Sequence, residues 1–146
     1  MKRSSMALAA AGGALALCAA LGASAGTASA DVGPKAWGSC AAGDVCVYTE
    51  FNGTGEKCSW DANDPNWLTA AGGTPKCSWA GTKNVKSIWN NGKRDTAYRH
   101  VKFYLGTNYT NYYGCAERYA AGVGWRGNTG PDAGAPIRSH KWVTSC

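Results

Sequence analysis

His100-Val101-Lys102-Phe103-Tyr104-Leu105 is a run of β-branched and aromatic residues that leads into a Gly/Asn-rich turn, and a near twin stands upstream as Val45-Cys46-Val47-Tyr48-Thr49. Such runs suit a pleated, half-buried surface. Val85-Lys86-Ser87-Ile88-Trp89 and Ile137-Arg138-Ser139-His140-Lys141-Trp142-Val143 have the same character. Gly, Asn, Asp and Pro separate these segments, and helical periodicity is hard to find beyond residue 30. The chain therefore reads as all-β.

The four runs form two copies of one pattern. Val47-Tyr48, Cys58 and Val85-Lys86-Ser87-Ile88 recur as Phe103-Tyr104, Cys115 and Ile137-Arg138-Ser139-His140, with offsets of 56 residues for the tyrosines, 57 for the cysteines and 52 for the serines. Three matches in one order at nearly constant offset predict an internal repeat, with copies over about 40–92 and 97–146. Each copy is too short to bury a face alone. Two four-stranded units packed face to face form a sandwich that solves the problem. Trp60, Trp79, Trp89 and Trp142 lie in or beside the strands and read first as core, with an exposed tryptophan platform for sugars as the alternative.

The N-terminus reads as a removable secretion signal over 1–30. Lys2 and Arg3 give a positive start, Met6 to Leu21 is an almost uncharged apolar run, and Ala28-Ser29-Ala30 is the small-x-small pattern that places cleavage between Ala30 and Asp31. A membrane anchor fits less well, because the run is short and diluted by Gly and Ser, whereas a span needs about 20 apolar residues. A lipid-anchored Cys18 is disfavoured by the bulky Leu17 before it. Residues 31–146 then make one secreted, extracellular domain. Removing Lys2 and Arg3 lowers the Lys and Arg count from 15 to 13 against 9 acids, so the net charge falls from +6 to +4. With no run of consecutive cations there is no nucleic-acid tract, and no later stretch is apolar enough to enter a membrane.

Six cysteines remain in a chain bound for an oxidising compartment: Cys40, Cys46, Cys58, Cys77, Cys115 and Cys146. An even number predicts three disulfides. Zinc is the poorer reading, since no pair has C-x2-C spacing and only His100 and His140 are available. Fifteen pairings are possible; proximity favours Cys40 with Cys46, Cys58 with Cys77 and Cys115 with Cys146. Each bond would add on the order of 2–4 kcal/mol.

Catalytic constellations are weak. Ser139 and His140 are adjacent, so on a strand they point to opposite faces and cannot form a nucleophile–base pair. Asp61 and Asp64 sit in a Pro/Asn-rich loop and read as turn-forming acids. His100 could meet a serine only through tertiary structure. No enzyme activity is expected.

The first strand and turn of each copy resemble the Greek-key signature of βγ-crystallins, an aromatic, six residues, then glycine. Tyr48 to Gly55 fits that spacing; in Tyr104-Leu105-Gly106-Thr107-Asn108-Tyr109-Thr110-Asn111 the glycine is replaced by Asn111, the next most tolerant residue of positive φ. In the first copy the second aromatic, Phe51, comes two residues early, which predicts a shorter hairpin. Together with Cys40-x5-Cys46-Val47-Tyr48, the Trp89-Asn90-Asn91-Gly92 corner and the closing Ser139-His140-Lys141-Trp142-Val143, the chain resembles the secreted actinobacterial peptidase inhibitor family typified by the streptomycete metalloproteinase inhibitor.

That resemblance implies a βγ-crystallin-like sandwich of two Greek-key repeats, stapled by disulfides, whose partner is an extracellular peptidase of the metallo class. Calcium-binding members of the wider crystallin group carry Asn/Asp-Asn/Asp-x-x-Ser/Thr-Ser. The corresponding Thr82-Lys83-Asn84-Val85-Lys86-Ser87 and Gly134-Ala135-Pro136-Ile137-Arg138-Ser139 place cations or bare backbone where oxygen ligands are needed. No cofactor and no strong calcium site are expected. A tight inhibitor offers a rigid loop already close to its bound shape. Asp61 to Lys76 is the preferred segment, with Pro65, Asn66, Trp67 and Leu68 at its centre and Trp67 and Leu68 as bulky anchors; alternatively those two plug the open end of the sandwich. Ala120 to Pro136, with Val123, Trp125 and Arg126, is the second choice. A monomer is expected. The competing function is a non-inhibitory secreted module: antimicrobial, binding cell wall or glycan, or structural.

Overall fold

Alternation along the strands decides which side chains meet. Val45 and Val47 of β1 (Val45–Glu50) and Val101 and Phe103 of β4 (His100–Tyr104) all point into one buried cluster. The computed structural model describes residues 37–70, 73–94, 96–118, 124–130 and 133–146; the expected secretion signal over 1–30 and its cleavage point at Ala30 and Asp31 lie outside them. The remaining strands are β2 (Thr54–Trp60), β3 (Ser87–Asn90), β5 (Tyr112–Ala116), β6 (Arg126–Asn128) and β7 (Ser139–Val143). They form two antiparallel sheets, ordered β2-β1-β3-β6 and β5-β4-β7. The disulfides are Cys40–Cys46, Cys58–Cys77 and Cys115–Cys146, the pairs that sequence proximity favours.

The sheets carry four and three strands, not four each. The halves also exchange their third segments. β6, from the second half, pairs with β3 of the first. Asp64 to Trp67, from the first half, lies along β7 of the second: the Asp64 and His140 amides donate to each other's carbonyls at 3.1 and 3.0 Å, and the Trp67 amide donates to Arg138 at 3.0 Å. Pro65 has no N–H to extend a ladder. Its segment therefore contributes an isolated bridge rather than a strand.

The two hairpins match residue by residue. Positive φ falls at Asn52, Gly53 and Gly55 in the first and at Asn108, Tyr109 and Asn111 in the second, each 56 residues on. The paired strands nevertheless close over Phe51–Gly53 in the first hairpin and over residues 105–111 in the second, so the first connection is the shorter one, as expected. Ser87 Oγ accepts the Gly53 amide and donates to the Glu50 carbonyl; Ser139 Oγ accepts the Tyr109 amide and donates to Gly106. Each serine ties its last strand to the folded hairpin. What differs is the aromatic: Tyr109 packs edge-on against Tyr104, whereas in the first copy Trp37, from ahead of β1, packs edge-on against Tyr48.

The cysteine match does not belong to the repeat. Val47 faces Cys58 across β1 and β2, but Phe103 faces Gly114, and Cys115 faces Lys102 on the other side of the sheet. An offset of 57 rather than 56 reverses the face of a strand. Trp60, Trp79 and Trp142 are core as expected. Trp89 instead lies half-buried outside the sandwich, 6.4 Å from Trp37, where the Arg126 guanidinium covers both rings.

Candidate functional site

The segment from Asp61 to Lys76 leaves β2 beside Cys58 and returns at Cys77, so the Cys58–Cys77 bond closes its base. Asp64 Oδ1 accepts the Asn66 amide and Asn66 Oδ1 accepts the Leu68 amide, two local turns of the kind that Asp and Asn favour. The Asn66 carbonyl receives both the amide and the hydroxyl of Thr69. The Pro65 carbonyl accepts from Asn108 of the second hairpin, the Trp67 carbonyl from Cys77 at 2.7 Å, and the Pro75 carbonyl from Trp60 Nε1. Both limbs of the loop are therefore bonded to the body of the fold.

Trp67 is the centre of this root. Its ring stacks on Trp60 at 4.6 Å between centroids, and its Nε1–H donates to Nδ1 of His140 at 2.9 Å. Since Nδ1 accepts, the His140 proton resides on Nε2, which donates to the Ala62 carbonyl at 2.8 Å. His140 is wholly buried, and burial lowers its pKa to about 4 against the smaller opposing effect of the Ala62 bond. Nearby, Tyr109 is raised by burial first and by Asp64 and Tyr104 after it.

This geometry corrects the assignment of the anchors. Trp67 has 0% of its surface exposed, Leu68 packs partly buried over Gly81, and Pro65 and Asn66 are half-buried. The four residues Pro65, Asn66, Trp67 and Leu68 form the loop's root, and Trp67 is a plug rather than a presented side chain. The surface belongs to Thr69, Ala70, Gly73, Pro75 and Lys76; Ala71 and Gly72 lie outside the described residues. An apolar residue flanked by turn formers looks the same in sequence whether it is plug or anchor, and the partner that decides, His140, is 73 residues away.

The second candidate segment is described only in part, since Ala120 to Val123 and Pro131 and Asp132 lie outside the described residues. Trp125 is 39% exposed, and Arg126 is held over Trp37 and Trp89. The groups weighed for catalysis are engaged elsewhere: Ser139 Oγ locks the hairpin while His140 points into the core, buried His100 accepts the Arg118 amide, and Asp61 is exposed while Asp64 is buried. Among the described residues no group of three His, Cys, Asp or Glu is placed to hold a metal ion. In the Thr82–Ser87 segment Lys86 pairs with Glu50 at 2.9 Å and Lys83 pairs with Glu56.

Residues 33–116 match peptidase inhibitor family I36, which is more than half of the chain. The chain belongs to peptidase inhibitor family I36. A comparison with curated proteins finds no match. The I36 match contains the whole Asp61–Lys76 segment and the first hairpin, and it ends before the second candidate loop. Membership supports a peptidase inhibitor role and a peptidase as partner, and it suggests a binding protein rather than an enzyme. Three disulfides are consistent with an extracellular setting, and no helix among the described residues is long and apolar enough to cross a membrane.

Proposed function

We propose that the protein is a secreted inhibitor of an extracellular metallopeptidase and that it presents Thr69, Ala70, Gly73, Pro75 and Lys76 to the enzyme. The observation that carries this reading is the doubly fixed root. The loop is closed by Cys58–Cys77 and by the Trp67–Cys77 backbone bond, so its exposed residues are held by atoms that do not need to order on docking. Cutting that entropy cost is what separates a tight inhibitor from a flexible substrate. The crystallin-like reading of the scaffold is supported by the two serine-locked hairpins and the exchanged third segments.

Titration of the protein against thermolysin-type, subtilisin-type and papain-type peptidases tests this directly. Inhibition of the zinc enzyme alone is expected, with Thr69→Ala/Lys76→Ala weakening it by about tenfold or more at unchanged melting temperature. Trp125→Ala should leave inhibition intact; loss there instead would move the site to the second segment. No inhibition of any class at about micromolar concentration defeats the proposal.

One observation favours a second reading, a module that binds wall glycans. Tyr104, Tyr109 and Tyr112 form an edge-to-face series on the outer side of the smaller sheet, with Lys141 over Tyr109 and Tyr112 59% exposed. Pull-down on acidic cell-wall polymers, lost in Tyr112→Ala, would be its signature.

A further inference from the structure

The root of the loop is bonded to a single titratable ring. His140 occupies the position in β7 that Ile88 occupies in β3: Phe103 faces His140 as Val47 faces Ile88. A hydrocarbon would satisfy the packing. The imidazole instead connects two points of the loop, accepting from Trp67 Nε1 and donating to the Ala62 carbonyl, while the His140 backbone exchanges bonds with Asp64.

We propose that His140 is a positioning residue for inhibition, holding the root of Thr69–Lys76 in its neutral form and releasing it when it gains a proton, so that the protein inhibits at neutral pH and lets go in acid. The proposal rests on the reading of that loop as the inhibitory segment. Its chemistry is simple. A proton from solvent can add only at Nδ1, where the acceptor for Trp67 Nε1–H becomes a second donor, and the two N–H groups then oppose each other inside a dry core.

The surroundings offer little to offset the new charge. Trp60 from β2, Trp67 and Ala62 from the loop and Phe103 from β4 are uncharged. Asp64 is the ionisable group beside the ring's backbone; its side chain is buried, with Oδ1 taken by Asn66 and Oδ2 unbonded. Half-buried Arg138, two residues earlier, adds a cation rather than a counter-charge. Lys141 on β7 and Lys102 and Tyr104 on β4 alternate to the opposite face. Burial already disfavours the protonated ring strongly. Protonation is therefore met by opening the root, which rehydrates the imidazole.

Amide exchange followed by NMR reads the latch without any peptidase. Between pH 7 and pH 5, after correction for intrinsic rates, opening at the Trp67 and Cys77 amides should rise by about 20-fold, as expected for a group of pKa about 4 when closed and 6.5 when open. In His140→Gln, which keeps a donor and an acceptor but does not titrate, the rise should vanish, and His140→Ile serves if that variant fails to fold. Asp64→Asn should retain the rise. Root amides that stay protected down to pH 5, that open equally in both His140 variants, or whose response disappears in Asp64→Asn overturn the proposal.

Inhibition of a thermolysin-type zinc peptidase, taken as the ratio of wild type to His140→Gln at each pH so that the enzyme's own profile cancels, should fall from pH 7 towards pH 4 in step with the closed fraction that the exchange data give at each pH. A constant ratio overturns the regulatory consequence. Absence of inhibition by both proteins at pH 7 defeats the inhibitory reading itself, while the exchange data still decide for or against the latch.

Discussion

Tyr48 to Gly55 and Tyr104 to Asn111 trace the same hairpin, yet the second carries its packing ring in Tyr109 while the first takes Trp37 from ahead of β1. Gly53 stands where Tyr109 stands in the other copy, and a Cβ there would approach Trp37 Cε3 to 2.5 Å. The ends of the two β2-type strands diverge in the same way. Trp60 and Cys58 fill the first half, where Trp67 stacks; Ala116 and Gly114 occupy the equivalent sites, and a Cβ on Gly114 would meet nothing within 4 Å. The two hairpins thus share a hydrogen-bonding framework while the side chains that fill the space around them differ, and in the first half that filling roots a loop.

The sharpest way to break the comparison is Trp67→Ala. It empties the stack on Trp60 and orphans His140 Nδ1, so a loss of about 3–5 kcal/mol is expected in urea denaturation. Trp125→Ala, on a tryptophan 39% exposed in the second half, should cost about 1 kcal/mol or less.

Next comes acid. The His140 pKa is lowered from 6.5 to about 4 in the folded chain, so between those values the unfolded chain binds more protons. The stability at stake is fully present above pH 6.5 and is lost as pH falls towards 4, amounting to roughly 3 kcal/mol. Denaturant midpoints from pH 7 to pH 4 should show that slope in wild type. His140→Ile, which copies Ile88 of the first half, should remove its contribution.

The smallest effect concerns the borrowed ring. Gly53 has φ +69° and lies under Trp37, so Gly53→Ala should cost about 1–3 kcal/mol in thermal melts. In a Trp37→Ala background the part of that cost due to the ring should disappear while the part due to the positive φ remains, and a double-mutant cycle with no coupling would show that Trp37 is not what confines the glycine.

Much of the scaffold was legible in advance. Alternating β-branched and aromatic runs gave the all-β class, short separations favoured the three disulfide pairs, and Asn111 in a glycine position foretold a positive φ that the hairpin does adopt. Trp67 and Leu68 are large and apolar and so looked like anchors; burial makes them the root, and the small residues after them become the surface. No sequence pattern marks Trp37, which lies ahead of the first strand.

The sequence by itself determined what depends on neighbours along the chain: strand character through alternation, turns through Gly, Asn and Pro, local disulfide closure, and family through residues 33–116. Tertiary structure alone decided which face Cys115 takes, which half β6 joins, and that Trp67 meets a histidine 73 residues away. The physical reason is that a strand's faces alternate with a period of two, so one residue of drift between copies reverses a face. What then fills that face comes from a remote segment whose approach no local pattern encodes.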